Sequence, residues 1–265
     1  MASNFDRFSD KFILDPPTDA NAFRIYRGAW HYNFDRLSLD EILTNIHGDP
    51  RPRWCAETYP GFRHFHVVEL GPGDGYNTAA LEYLGARQVT SIEGNVDAFI
   101  RCLILKNALG LNSKFLLGDF TRCFEGLSSR ADMLYACGVL YHLIDPIGFL
   151  QMAASHVEHL FLWTHVYDER YVDLVEHERV GFANRETYPA VFGGRTFTYH
   201  RKYYDVTHVS LSGYIGGLHR YAHWISREDL FAGLDICGFK KIHKIVEDPY
   251  EPGRMPAINV LTSRV

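Results

Sequence analysis

The sequence predicts an α/β fold built on a seven-stranded, mostly parallel sheet with helices on both faces, and three observations carry that expectation. Apolar runs alternate with helical periodicity from His64 to Thr164, the pattern of repeated strand–helix units that pair in parallel. Three alternating glycines, Gly71, Gly73 and Gly75, separate the first such strand from the first helix, where a backbone must take positive φ or admit another molecule closely. Gly85, Gly110 and Gly238 each follow an apolar helical stretch, at the position where a left-handed residue ends a helix.

Residues 1–63 are rich in polar, aromatic and proline positions and read as an N-terminal helical cap. They contain one clearly signalled helix, in which Ser38 and Glu41 form a capping box and Gly48 acts as a stop. The alternation then runs as strand 65–70, helix 78–84, strand 88–92, helix 96–109, strand 114–117, strand 132–137, helix 147–156 and strand 159–164. It breaks at His165 and resumes at Ser226, which caps a helix over 227–237 before two closing strands, 241–246 and 257–262. Residues 64–265 therefore form one domain, with 165–223 as a long insertion after the fifth strand. Connections beyond roughly 12–15 residues are usually functional lids or small subdomains. This one holds 8 of the 16 tyrosines and 6 of the 14 histidines, and its seven acidic residues balance seven basic ones. A neutral, aromatic stretch suits a small polar ligand better than a phosphate backbone.

Composition removes several function classes. With 265 residues, 46% of them hydrophobic, the chain buries a full core. A formal charge of −5 and the lack of any block of like charges give no support to a nucleic-acid partner. The apolar runs, such as 102–105 and 160–163, fall far short of the roughly 18–20 residues that span a bilayer. The start, residues 1–7, lacks the basic stretch and apolar core of a secretory signal, so a cytoplasmic location is expected. None of the five cysteines forms a C-x-x-C pair, so reduced thiols are expected rather than a disulfide frame or a cysteine-bound metal.

The string Val67-Val68-Glu69-Leu70-Gly71-Pro72-Gly73-Asp74-Gly75-Tyr76 carries the chemistry. A glycine turn at the carboxyl end of a parallel strand lies where open α/β sheets bind ligands. Its spacing is G-x-G-x-G, with Tyr76 in place of the last glycine of the dinucleotide fingerprint G-x-G-x-x-G, which argues against a diphosphate cofactor. Glu93 ends the second strand, eighteen residues beyond Gly75, and suits the two hydroxyls of a ribose in a nicotinamide enzyme or another nucleoside binder alike. Asp119 and Phe120 end the third strand: an acid to hydrogen-bond an adenine amino group and a ring to cover its face.

Together, 69–75, Glu93, Gly118-Asp119-Phe120 and Gly138-Val139-Leu140-Tyr141-His142 resemble a class I S-adenosylmethionine (SAM)-dependent methyltransferase over residues 64–165. The resemblance implies a Rossmann-like fold, SAM as cofactor and transfer of a methyl group to an oxygen, nitrogen or carbon nucleophile of a small molecule by in-line displacement. It places Glu69, Gly71, Gly73 and Gly75 against the methionine part, Glu93 on the ribose, and Asp119 with Phe120 on the adenine. More narrowly, 138–146 is similar to the wobble-uridine tRNA methyltransferase-like group, some of whose members use a carboxylated SAM. The short N-terminal region, the absent basic charge and Leu143-Ile144 depart from that group.

Candidate catalytic residues are Tyr141 and His142, just after the fourth strand, and His165, just after the fifth. Tyr141 and His142 either touch the acceptor or pack under the cofactor. His165 is either a base or a satisfied hydrogen-bonding residue, and both histidines are expected to titrate in the useful range. No metal site is expected, since His177, His200, His208, His219 and His223 share no chelating spacing. The stretch 199–204 is a stacking platform for bases or the packing of a lid. Trp30, His31 and Tyr32 either close over the cofactor or fill the seam between cap and sheet. The rival functions are wobble-uridine modification, a nicotinamide oxidoreductase, and a SAM-binding protein without catalysis.

Overall fold

The computed structural model describes residues 13–31, 34, 38–123, 131–205 and 216–265. Its cap contains α1 (Asp19–Phe23), α2 (Leu39–Gly48) and α3 (Pro50–Thr58). The capping box opens α2 as the sequence implies, with Ser38 and Glu41 bonded reciprocally. The expectation of a single clear helix in the cap misses α1 and α3. Pro50 and Pro52 look like helix breakers, yet they occupy the first turn of α3, where no backbone donor is needed. Asp49 caps that turn by accepting from Arg51 N.

The domain follows as β1 (His66–Leu70), α4 (Tyr76–Tyr83), β2 (Gln88–Glu93), α5 (Val96–Leu109), β3 (Lys114–Leu117), α6 (Phe120–Cys123), β4 (Met133–Cys137), α7 (Pro146–His156) and β5 (His159–His165). The insertion contributes α8 (Glu169–Val172), α9 (Glu176–Gly181), β6 (Thr187–Phe192), β7 (Arg195–Tyr203) and β8 (Tyr221–Trp224). The chain closes with α10 (Arg227–Ile236), β9 (Lys241–Asp248) and β10 (Ala257–Ser263). The seven-stranded sheet has the order β3-β2-β1-β4-β5-β10-β9, and only β10 runs against its neighbours. The strand order reverses between β1 and β4, which opens a crevice at their carboxyl ends.

Strand alternation sends two sets of side chains to opposite faces. Val68, Leu70, Leu134, Ala136, Leu160, Leu162 and Val260 pack with α7 and α10 in one core. Val67, Met133, Tyr135, Phe161 and Leu261 pack on the other face with Cys55, Tyr59 and Phe62 from the cap side. A third cluster joins Phe23, Trp30, Phe34, Ile42 and Ile46 to Tyr76, Ala79, Ala80 and Leu105, so the cap is seated on α4 and α5. Trp30 fills this seam: its Nε1 donates to Phe23 O at 2.8 Å, and its ring lies 5.2 Å from Phe23 and 5.6 Å from Phe34. Tyr32 lies outside the described residues.

The insertion forms its own antiparallel sheet, β6-β7-β8, and is docked on the segment after β4. Tyr199 donates from its hydroxyl to Asp145 Oδ1 at 2.6 Å, and His223 N donates to Leu143 O at 2.8 Å. Three side chains of the stretch 199–204 are engaged in packing. Tyr199 is buried in the main core, His200 stacks on Tyr167 at 3.5 Å, and Lys202 pairs with Glu178 at 2.7 Å. Among the described residues no helix is long and apolar enough to cross a membrane.

Candidate active site

The glycine turn after β1 takes the left-handed conformation at all three glycines, with φ of 61° at Gly71, 62° at Gly73 and 82° at Gly75. The three do different work. A Cβ on Gly73 meets nothing within 4 Å among the described residues, so this residue opens onto free space; one on Gly71 lies 3.3 Å from Val139. Gly75 turns the other way, toward Leu105, Phe115 and Cys102, and serves the packing of α5 and β3 against the turn.

Glu93 closes the same crevice from β2. Its carboxylate accepts from Gly73 N at 3.0 Å and from Asn95 N at 2.8 Å, which pins the first turn to the second. Burial pushes its pKa up against the pull of these backbone donors. Glu69 lies deeper and is 1% exposed. It accepts from Ser91 Oγ at 2.8 Å and from the Thr78 hydroxyl, bracing β1 against β2 and α4 below the crevice.

Burial pushes the Glu69 carboxyl up to about 7, above the ordinary carboxylate range. A carboxyl whose pKa is higher folded than unfolded favours the folded state while protonated, and that preference is lost as pH rises through about 7. Glu69→Gln keeps the acceptor for Ser91 and Thr78 without the charge. The variant is expected to melt a few degrees above wild type at pH 8.5 and level with it at pH 4.5. Thermal melts across that range check the prediction, and equal shifts at both pH values overturn it.

Asp119 and Phe120 stand at the end of β3 as the sequence implies. Asp119 Oδ1 accepts from Thr121 N at 2.9 Å and from its hydroxyl at 2.7 Å, and Phe120 packs edge-on against Phe149. The insertion crosses this crevice. A Cβ on Gly94 would meet Leu218 at 3.0 Å, and one on Gly217 would fall 2.3 Å from His142 O. Residues 217 and 218 thus run from the β4 turn to the β2 turn.

After β4, Tyr141 lies among aromatic rings, 5.9 Å from Trp163, 4.9 Å from His165 and 5.5 Å from Trp224. His165 stacks on Trp224 at 5.5 Å, with 5° between the planes. Its Nδ1 lies 3.2 Å from Pro256 O; a carbonyl only accepts, so Nδ1 carries the proton and Nε2 keeps a lone pair. His142 Nδ1 pairs with the Tyr204 hydroxyl at 2.5 Å, while His142 Nε2 and Trp224 Nε1 are buried without a partner among the described residues. The expected titration of both histidines near neutrality is corrected. Burial lowers His165 below its ordinary range and, with nearby Lys202 and His165, pushes His142 down to about 3.

A cavity of about 400 Å³ opens beside this cluster, between the cap and the tips of β5, β10 and β9. It is lined by residues 49–51 together with Tyr76, Trp163, Asp248, Arg254 and Asn259. Of this set only Tyr76 carries a signal in the sequence, as the residue in place of a glycine. Its residues come from four distant segments and share no spacing. Among the described residues no three His, Cys, Asp or Glu side chains are grouped to hold a metal, and His208 lies outside them.

Similarity to solved structures accords with this architecture. The N-terminal domain of EvdMO1 with S-adenosylhomocysteine (SAH) bound superposes with a TM-score of 0.62 at 23% identity, covering 82% of each chain. The magnesium protoporphyrin IX methyltransferase ChlM from Synechocystis PCC 6803, also with SAH, gives 0.57 at 14% identity over 94% of this chain and 100% of its own. The chain has the fold of SAM-dependent methyltransferases. A SAM-dependent methyltransferase from Clostridium acetobutylicum ATCC 824 scores 0.53 at 12% identity over 93% of this chain and 99% of its own. This chain spans 40% of full-length EvdMO1, with a TM-score of 0.52. No protein-family model and no curated protein matches the chain. Within this fold, the glycine turn follows β1 beside the strand reversal, Glu93 ends the neighbouring β2, and the cavity lies toward β5.

Proposed function

We propose that the chain is a SAM-dependent methyltransferase acting on a small molecule. The observation that carries this reading is the pairing of Gly73, open to space at φ 62° in the turn after β1, with Glu93 at the end of the neighbouring β2. The residues fit the cofactor: a side chain at Gly73 would fill the cradle, and Glu93 presents carboxylate oxygens beside it. Gly71, Gly73 and Glu93 hold the amino-acid and ribose parts, Asp119 and Phe120 the base, while Glu69 and Gly75 support the turn from below. SAM supplies a methyl group bonded to a positively charged sulfur.

The chain's own task is to align a nucleophile and remove its proton. His165, with its Nε2 lone pair, accepts the proton, and Tyr141 walls the site. His142 remains neutral and orients Tyr204 through Nδ1. Placing the groups is worth more than the base, since positioning supplies roughly 7–11 kcal/mol in favourable cases and a base about 3–5 kcal/mol.

Calorimetry tests the cofactor reading. Wild type is expected to bind SAH and to ignore NAD and NADP. Gly73→Ala is expected to weaken SAH binding about 10- to 100-fold, the cost of a methyl group forced into an occupied space. Gly110→Ala provides the control, because Gly110 has φ 63° and equal open space but ends α5, away from the crevice. Equal loss of SAH affinity in both variants, or NAD binding in wild type, defeats the reading.

The finer resemblance of 138–146 supports a second reading, wobble-uridine modification. The formal charge of −5 and the enclosure of Tyr141 and His142 beneath the insertion favour a small acceptor instead. Transfer RNA binding that weakens steeply with salt would restore the second reading.

A further inference from the structure

We propose that the cavity at the tips of β5, β10 and β9 receives the methyl acceptor, and that the acceptor is a small carboxylic acid carrying a hydroxyl or amino group. Its place as the acceptor site rests on the methyltransferase reading; its chemistry rests on its own walls. The cofactor candidates stand on β1, β2 and β3, whereas the cavity begins at β5, two strands or about 10 Å beyond β1. A volume of about 400 Å³ is the size of a small-molecule site.

Two wall groups lack partners of complementary kind. Asn259 is 4% exposed, and its Nδ2 faces Val246 O at 3.2 Å and Asp248 Oδ2 at 3.3 Å. Both neighbours are acceptors, which fixes the amide orientation and leaves Oδ1 buried with no donor among the described residues. A buried acceptor without a donor is costly, so this atom calls for an N–H or O–H from a ligand.

Arg254 supplies the opposite demand. It is exposed, sits 6.0 Å from the Trp163 ring centre and has no carboxylate within 4.0 Å among the described residues. The other cation, Arg51, is already neutralised by Asp49 through Nε at 3.0 Å and Nη2 at 2.6 Å. Asp248 is engaged through Oδ2 by Trp163 Nε1 at 3.4 Å as well as by Asn259. A neutral apolar acceptor would leave both demands unmet. A carboxylate on Arg254 with an adjacent hydroxyl or ammonium on Asn259 Oδ1 meets both, and the planar guanidinium favours the carboxylate.

Binding measurements on the whole chain test this, with lactate, serine, tyrosine and salicylate as probes and the amide of each as a neutral partner. At least one acid is expected to bind wild type and to lose about 10- to 100-fold in affinity in Arg254→Gln, with its amide weak in both proteins. Arg254 lies in an exposed turn, so the variant is expected to melt with wild type; Asn259→Leu gives a second, independent loss. SAH affinity should not change in Arg254→Gln. Acids that bind equally to wild type and Arg254→Gln, or amides that bind as well as acids, overturn the proposal. So does a loss of SAH affinity in Arg254→Gln that 5′-methylthioadenosine does not share, because the cavity then holds the amino-acid end of the cofactor. Acid binding that depends on Arg254 in a chain that ignores SAH upholds the pocket's chemistry while removing the methyltransferase reading.

Discussion

His165→Gln is expected to cut kcat by about 10² or more while leaving SAH affinity within about twofold of wild type. The expectation follows from one hydrogen bond. Pro256 O, 3.2 Å from Nδ1, holds the ring in the tautomer whose Nε2 is free to take a proton. Trp224, stacked at 5.5 Å, and Tyr141, edge-on at 4.9 Å, hold the ring plane. A glutamine amide still donates to Pro256 O, so the variant keeps the local structure and loses only the basic nitrogen.

The sign of the pH dependence separates His165 from His142. Burial lowers His165, so its neutral, proton-accepting form persists as pH falls through 6.5 and is lost only below that value. The acid limb of kcat should therefore lie below the ordinary histidine range. His142, pushed down to about 3, adds no inflection above pH 5, and His142→Gln should cost less than tenfold. The check is transfer of labelled methyl from SAM to acceptors in a cell extract, followed against pH for both variants. Undiminished turnover in His165→Gln removes it from the chemistry.

Local signals and long-range placement divide what was legible in this chain. Helix α5 spans the expected 96–109 because Asn95 caps Ala98 N and Gly110 adopts φ 63°, both decided by neighbours a few residues away. β3 is likewise read to the residue. The β1 turn was legible because three glycines at alternate positions have few other uses, but the division of labour among them was not. Gly75 faces Leu105 and Phe115, partners 30 and 40 residues on, and no local pattern shows which way a glycine opens. The neutral state of His142 depends on burial by an insertion whose Tyr204 lies 62 residues downstream. The acceptor cavity is the extreme case, assembled from α3, α4, β5 and the β9–β10 hairpin. Asp49, Arg51, Asp248 and Arg254 belong to no motif in the sequence, and only the fold brings them together.

The junction of cap and glycine turn carries the largest expected effect on stability. Asp74, between Gly73 and Gly75, pairs with Arg101 of α5 at 2.7 Å, with side-chain exposures of 2% and 5%. Its second oxygen accepts from His31 N at 2.5 Å, and the Tyr26 ring lies 5.7 Å from the Arg101 guanidinium. One carboxylate thus ties turn, helix and cap together. Arg101→Met removes the counter-charge and leaves Asp74 buried with a single neutral donor, a change that costs about 3–5 kcal/mol. For a domain of this size that is a fall in Tm of roughly 6–20 °C. Adding Asp74→Asn to the same chain removes the stranded charge and should recover more than half of the loss, since the penalty comes from the unpaired ion rather than from the missing attraction. Denaturant unfolding of both single variants and the double variant measures this coupling. A loss below about 1 kcal/mol in Arg101→Met would mean that water reaches Asp74 in the folded chain, and the cap would then not depend on this pair.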